Sequence, residues 1–464
     1  MARSAAAARL LRERLTALLT RRPFTLSGLS LLLISGGLGV VLHSDLQSTA
    51  ESPQRDGLAQ LLVSTQLLQG FRGDPSRPAP ALWNQRLGLR RAEELWNRQG
   101  SALWWQAWST DGEAYLVIPS SLLPASDRSG LTLTQVKGVL ASAADPLHRE
   151  QLRQRLRSAS GPVPSSLQSD CLHRLQAAPA VFWSSDGLAS ISGTLAPLLQ
   201  RARHGCLSLS LEGQQLRWQG VVGRRSLIAA PASLRSDPIE PGPQTLKLSE
   251  QVLLSIRGGE LGDVLGALFS RSMIQVPLEQ DYGINQEART LLATRPFSLQ
   301  LLRQTEGVFQ AGLELQIPLP GGEPRWKGTL ASIDSLLRDR GLNSRLLPDN
   351  VGVVFADPQR PSSPLVGGWR WIRDSNDNKE SLLSIGLGRS PSAASLRLPR
   401  NETPDEGLQL QARPRQMQNQ QLLPGRWPKV VRDASQLELN LRPLLGGAPG
   451  SDWLHCEGRL NVVP

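Results

Sequence analysis

The run Phe24–Leu42, FTLSGLSLLLISGGLGVVL, constrains this chain more than any other stretch. It carries no charge, and at about 1.5 Å per residue it makes about 28 Å of helix, close to the hydrocarbon thickness of a bilayer. Before it stand Arg3, Arg9, Arg12, Arg14, Arg21 and Arg22 against the single acid Glu13; the first charges after it are Asp45 and Glu51. Positive charge is retained on the cytoplasmic side of a membrane helix, so residues 1–23 are expected in the cytoplasm and the remainder beyond the membrane. Two other readings compete for the same run. Ser48-Thr49-Ala50 has the small residues of a signal-peptidase site, although His43 to Gln47 separate it from the apolar run. Thr20-Arg21-Arg22-Pro23-Phe24 has the form of a twin-arginine export signal.

About 420 of the 464 residues follow the anchor, room for two domains. A content of 40% hydrophobic and 20% charged residues describes a globular body. The net charge is +11; residues 1–23 supply six arginines and one glutamate, which leaves +6 for the rest. Those basic residues are scattered among acids, so no nucleic-acid footprint is read and nucleic acid is not expected as a partner.

The body reads as α+β. Asp111-Gly112 sits between LWWQAWS and AYLVIP and predicts a hairpin over 102–119. Thr132 to Leu140 reads as a helix capped by Thr134, and 147–157 as a basic amphipathic helix. A pattern then recurs. Leu188–Arg203 gives strand, Gly and short helix, followed by the hairpin CLSLSLEGQQLRWQGVV. Gln251–Phe269 and Phe297–Ile317 repeat the order, and Gln436–Val463 reads as a truncated copy. A strand–short helix–hairpin module used two or three times is expected, with antiparallel pairing dominant. Gly328–Arg338 reads as a strand-like run before a Leu pair, and Pro399–Gln421 as a polar loop. The expected organisation is a basic cytoplasmic segment 1–23, a transmembrane anchor 24–42, a first extracytoplasmic α+β domain 43–230, a Pro-rich linker or loop 231–243, and a second α+β domain 244–464.

Three motifs could carry chemistry. Cys171-Leu172-His173, His204-Gly205-Cys206 and His455-Cys456 place a histidine beside every cysteine. Thiolate and imidazole suit zinc or copper, but none of the spacings matches a metal motif; in an oxidising compartment a Cys171–Cys206 disulfide is the competing expectation. Twelve tryptophans stand against two tyrosines and seven phenylalanines, with Trp104, Trp105 and Trp108 close together and Trp369 and Trp371 on one face of a strand. They read either as core or as an aromatic groove. G-x-S-x-G, H-E-x-x-H, S-x-x-K and P-loop patterns are missing, so no catalytic, cofactor-binding or metal residue is assigned and no cofactor is expected.

The anchor Phe24–Leu42 and the LSIRGGELGDVLGAL-type repeats resemble a family of single-span bacterial proteins found in photosynthetic bacteria. That resemblance implies a periplasmic or thylakoid-lumenal body and carries no assigned activity. The functional expectation is a non-enzymatic binding or scaffolding protein, held to the bilayer through Phe24–Leu42 and engaging a protein or lipid partner. The alternative is an envelope-acting hydrolase whose site is assembled from distant residues.

Overall fold

The computed structural model describes residues 53–110, 112–158, 166–187, 202–223, 248–269, 272–280, 282–304, 309–319, 321–359, 364–373, 381–394, 407–423, 429–444 and 453–462. The anchor, the strand–helix run 188–201, the Glu306-Gly307 turn and the Pro-rich stretch 231–243 lie outside the described residues. Among the described residues no helix is long and apolar enough to cross a membrane.

The chain is a mixed α/β protein built on one large antiparallel sheet with several helices packed against it. Its strands are β1 (Leu67–Arg72), β2 (Leu103–Trp108), β3 (Ala114–Pro119), β4 (Leu133–Val136), β5 (Val139–Ser142), β6 (Ala180–Trp183), β7 (His204–Glu212), β8 (Gln215–Gly223) and β9 (Val252–Gly258). They continue as β10 (Phe297–Arg303), β11 (Ala311–Leu319), β12 (Asn343–Leu346), β13 (Gly352–Ala356), β14 (Leu365–Arg373), β15 (Ser381–Leu387), β16 (Leu408–Ala412), β17 (Gln436–Pro443) and β18 (Trp453–Asn461).

Every pairing is antiparallel, and together they set the strands in a single row: β4-β5-β3-β2-β1-β6-β7-β8 and then β18-β17-β16-β9-β10-β11-β15-β14-β13-β12. The last two strands of the chain therefore sit in the middle of the sheet. β18 pairs with β8 over nine residues, from Trp453↔Gly223 to Asn461↔Gln215. Four sets of three adjacent strands follow one order: β1-β2-β3, β6-β7-β8, β9-β10-β11 and β16-β17-β18. The sets join through their first strands, at β1·β6 and β9·β16.

Side chains alternate between the two faces of a strand, so the register assigns each residue to a face. On the first face, Leu68, Trp105, Ala107, Tyr115, Phe182 and Val221 form a core with Leu58 and Leu61 of helix Pro53–Ser64, Leu152 of helix Pro146–Ser158, and Leu172 and Leu175 of helix Ser166–Ala177. On the second face, Phe71, Trp104, Leu116 and Ile118 meet Trp83 and Trp96 from helices Ala81–Leu87 and Leu89–Gln99. Further along that face, Ile256, Phe297, Ile317 and Trp369 pack with Val264 of helix Gly262–Phe269 and Trp326 of helix Gly322–Asp339. Hydrophobic burial on both faces explains why the first half holds near-continuous apolar strands.

Three sequence expectations are corrected. Thr132–Leu140 is not a helix but the β4–β5 hairpin, turning at Lys137, whose φ is +50°. LTQV and VLAS fit the period of two, and Gly138 lies against the backbone of Pro53 and Gln54, where a helix would not fit. Gly328–Arg338 has no strand and belongs to the helix Gly322–Asp339, because Trp326, Leu330, Ile333 and Leu337 recur at helical spacing. Within Pro399–Gln421 the described residues hold β16 and the helix Pro414–Asn419. The alternation LQLQA outweighs the polar composition around it.

Candidate functional site

Among the described residues the tryptophans do not form a groove. Nine of the eleven described ones are buried: Trp83, Trp96, Trp104, Trp105, Trp183, Trp326, Trp369, Trp371 and Trp453. Trp83 meets Trp96 and Trp104 edge-on at 5.1 and 5.7 Å, and Trp104 stacks on Phe71 at 4.5 Å. These are core contacts.

The cysteine–histidine pairs do not converge on a metal. Cys171 and Cys206 form a disulfide that ties helix Ser166–Ala177 to β7. Cys456 is the free thiol, and burial pushes it up to about 12. Its neighbour His455 points to the other face of β18, where it is 3% exposed. Among the described residues no group of three or more His, Cys, Asp or Glu is placed to hold a metal ion.

A different site emerges on the first face, across β8, β18, β17 and β16. The register sets Gln219, Glu457, Asn440 and Gln409 side by side on four adjacent strands. One step along lie Arg217, Arg459, Glu438 and Gln411, and beyond them Gln215, Asn461 and Gln436. All eleven carry a planar amide, carboxylate or guanidinium group. Arg217, Gln219 and Gln409 are exposed, and Glu438 is buried.

Ion pairs organise this surface. Arg459 engages Glu438 at 2.7 Å, Arg442 engages Glu457 at 2.9 Å, and Arg217 engages Glu212 at 3.1 Å. At the rim, Arg174 of helix Ser166–Ala177 donates to Asp170 at 2.7 Å and to the Gln219 carbonyl at 3.1 Å. His455 lies next to Arg442 across the β17–β18 pairing, and its Nε2 has no hydrogen-bond partner. Burial lowers its pKa below the ordinary imidazole value of 6.5, and Arg174 and Arg442 act in the same direction.

The polar lane continues under cover. Ser298, Gln316 and Ser384 form one buried row across β10, β11 and β15, and Gln300 and Glu314 start the next. Gln316 donates to the Ala394 carbonyl at 3.0 Å, so the chain leaving β15 folds back over this row.

Alternation in the sequence marks β7, β8, β17 and β18 as strands and singles out none of these residues. The usable signal was the Gln, Glu, Asn and Arg at every second position of QLELNLR and QLRWQ. Comparison with family models, with curated proteins and with solved structures gives no match to the chain.

Proposed function

We propose that this chain is a membrane-anchored extracytoplasmic protein that binds or scaffolds a protein or lipid partner. Phe24–Leu42 holds it in the bilayer with residues 1–23 cytoplasmic and a periplasmic or thylakoid-lumenal body. The body is a tandem of strand–helix–hairpin units, a reading supported by the four three-stranded sets and the way they join.

One observation carries the binding role. The helix Ser272–Gln280, SMIQVPLEQ, has five apolar residues in nine and buries none of them. Met273 is 75% exposed and Val276 49%. Pro277 removes a backbone donor from the helix interior, so the segment forms at a cost in helical stability. An apolar helix that fully buries none of its own side chains, and leaves Met273 and Val276 to solvent, is a contact surface for something else. Affinity capture of the full-length tagged protein from membranes, with proteins and lipids identified, tests the proposal. A partner recovered above background supports it; recovery of neither class contradicts it.

The alternative, an envelope-acting hydrolase, draws on the buried His455 with its unpartnered Nε2 among Glu457, Asp170 and two arginines.

A further inference from the structure

We infer that the planar polar face of β8, β18, β17 and β16 is a second binding site, and that its ligand is an uncharged, hydroxyl-rich glycan. This goes beyond the reading above. The apolar helix packs beside Gly262–Phe269, whose core contacts lie on the opposite face of the sheet.

The inference rests on what the surface leaves available. Its arginines are engaged: Arg217 with Glu212, Arg442 with Glu457, Arg459 with Glu438. Each of the three cations on these strands is matched by an anion, and Arg257 of the neighbouring β9 borders them opposite Gln409. The amide side chains of Gln219, Gln409 and Gln411, by contrast, make no hydrogen bond among the described residues. Each presents two donors and an acceptor in one plane. Glu457 and Asn440 stand between Gln219 and Gln409 and still have unused acceptor and donor capacity.

The ligand that matches such groups has neighbouring hydroxyls that both donate and accept. The groups recur at about 4.8 Å, the spacing between strands. That repeat is comparable with the advance per ring of an extended glycan, so one oligomer laid across four strands meets a fresh side chain at each ring. No exposed aromatic stands in these rows, and affinity therefore comes from hydrogen bonds alone and is weak. His455 at the edge of the patch supplies a buried polar atom with no partner, facing the same side. A ligand hydroxyl or a water it holds would satisfy it.

The test is calorimetric titration of the full chain in nanodiscs with chitohexaose and maltoheptaose, against inorganic phosphate and phosphatidylglycerol vesicles. At least one oligosaccharide should bind with an affinity that changes less than about twofold between 0.05 and 0.5 M salt, as expected for uncharged contacts. The double variant Gln219→Ala/Gln409→Ala removes two exposed amides and should weaken binding about tenfold with an unchanged melting temperature. Neither sugar binding, sugar binding equally well to the double variant, or a response to phosphate or vesicles alone would each overturn the inference. A membrane partner captured in the absence of sugar binding would leave the proposed function standing and remove only this site.

Discussion

Cys171 and Cys206 are bonded across 35 residues, with Cα atoms 5.7 Å apart, and this link fastens the helix Ser166–Ala177 over the strands that border the polar face. A loop of that length constrains the unfolded chain by about 3–4 kcal/mol on the loop-entropy model. Reduction, or Cys206→Ser, should lower the thermal midpoint measurably. Thiol counting by mass spectrometry should find no alkylated cysteine in the native protein at neutral pH, one after unfolding, and three after unfolding with reduction. Alkylation of the native protein at Cys171 or Cys206 would contradict the pairing.

Gly57 should not tolerate alanine. In an ordinary helix the exchange is worth about 1 kcal/mol in favour of alanine. Here an added Cβ would meet the Val136 carbonyl oxygen at 2.3 Å and a Val139 methyl at 2.8 Å. Both belong to the β4–β5 hairpin, which the helix crosses closely. Gly57→Ala should therefore lower the denaturation midpoint; a rise would mean that the helix sits further away.

Trp83 is fully buried, and its indole nitrogen has no hydrogen-bond partner. Trp83→Ala should cost about 3–5 kcal/mol through the cavity it leaves. Trp83→Phe should cost clearly less, because it keeps an aromatic ring against Trp96 and Trp104 and removes a donor that makes no bond. Equal losses in chemical denaturation would show that the indole nitrogen is satisfied.

The strands β2, β3, β7, β8, β17 and β18, the Glu212-Gly213 turn and the disulfide were legible in the sequence because each rests on a local signal: alternation, a turn dipeptide, and two cysteines in one half; β4 and β5 read as helix and β16 as loop because their alternation is short. The strand order was not. Nothing in Gln436–Asn461 says that these residues enter the sheet between β8 and β16, because that choice depends on contacts more than 200 residues apart, such as Gln215 with Asn461. The polar face depended on the same choice. Glu457 and Gln219 become neighbours only once β18 has found β8. The tryptophans could have been read as core or groove from spacing alone; burial decides for the core.

Acid should weaken the fold through His455. Burial holds its pKa down; Arg174 and Arg442 lower it further, while Glu457 and Asp170 oppose them. The unfolded chain therefore takes up the proton first as pH falls. The stability of the neutral form is complete above about 6.5 and is lost below it. His204, also lowered by burial, adds in the same direction. Between pH 8 and pH 5 the melting temperature should fall, and His455→Gln should make the fall shallower. An equally steep fall in the variant would remove His455 from the account.

The binding role turns on whether the helix Ser272–Gln280 is where the partner sits. The direct measurement compares what the full-length protein and its Met273→Asp/Val276→Asp variant recover from the same membranes. Both side chains are exposed, so the variant should fold with an unchanged melting temperature. The predicted result is loss of the captured protein or lipid from the variant alone; equal recovery by both would contradict it.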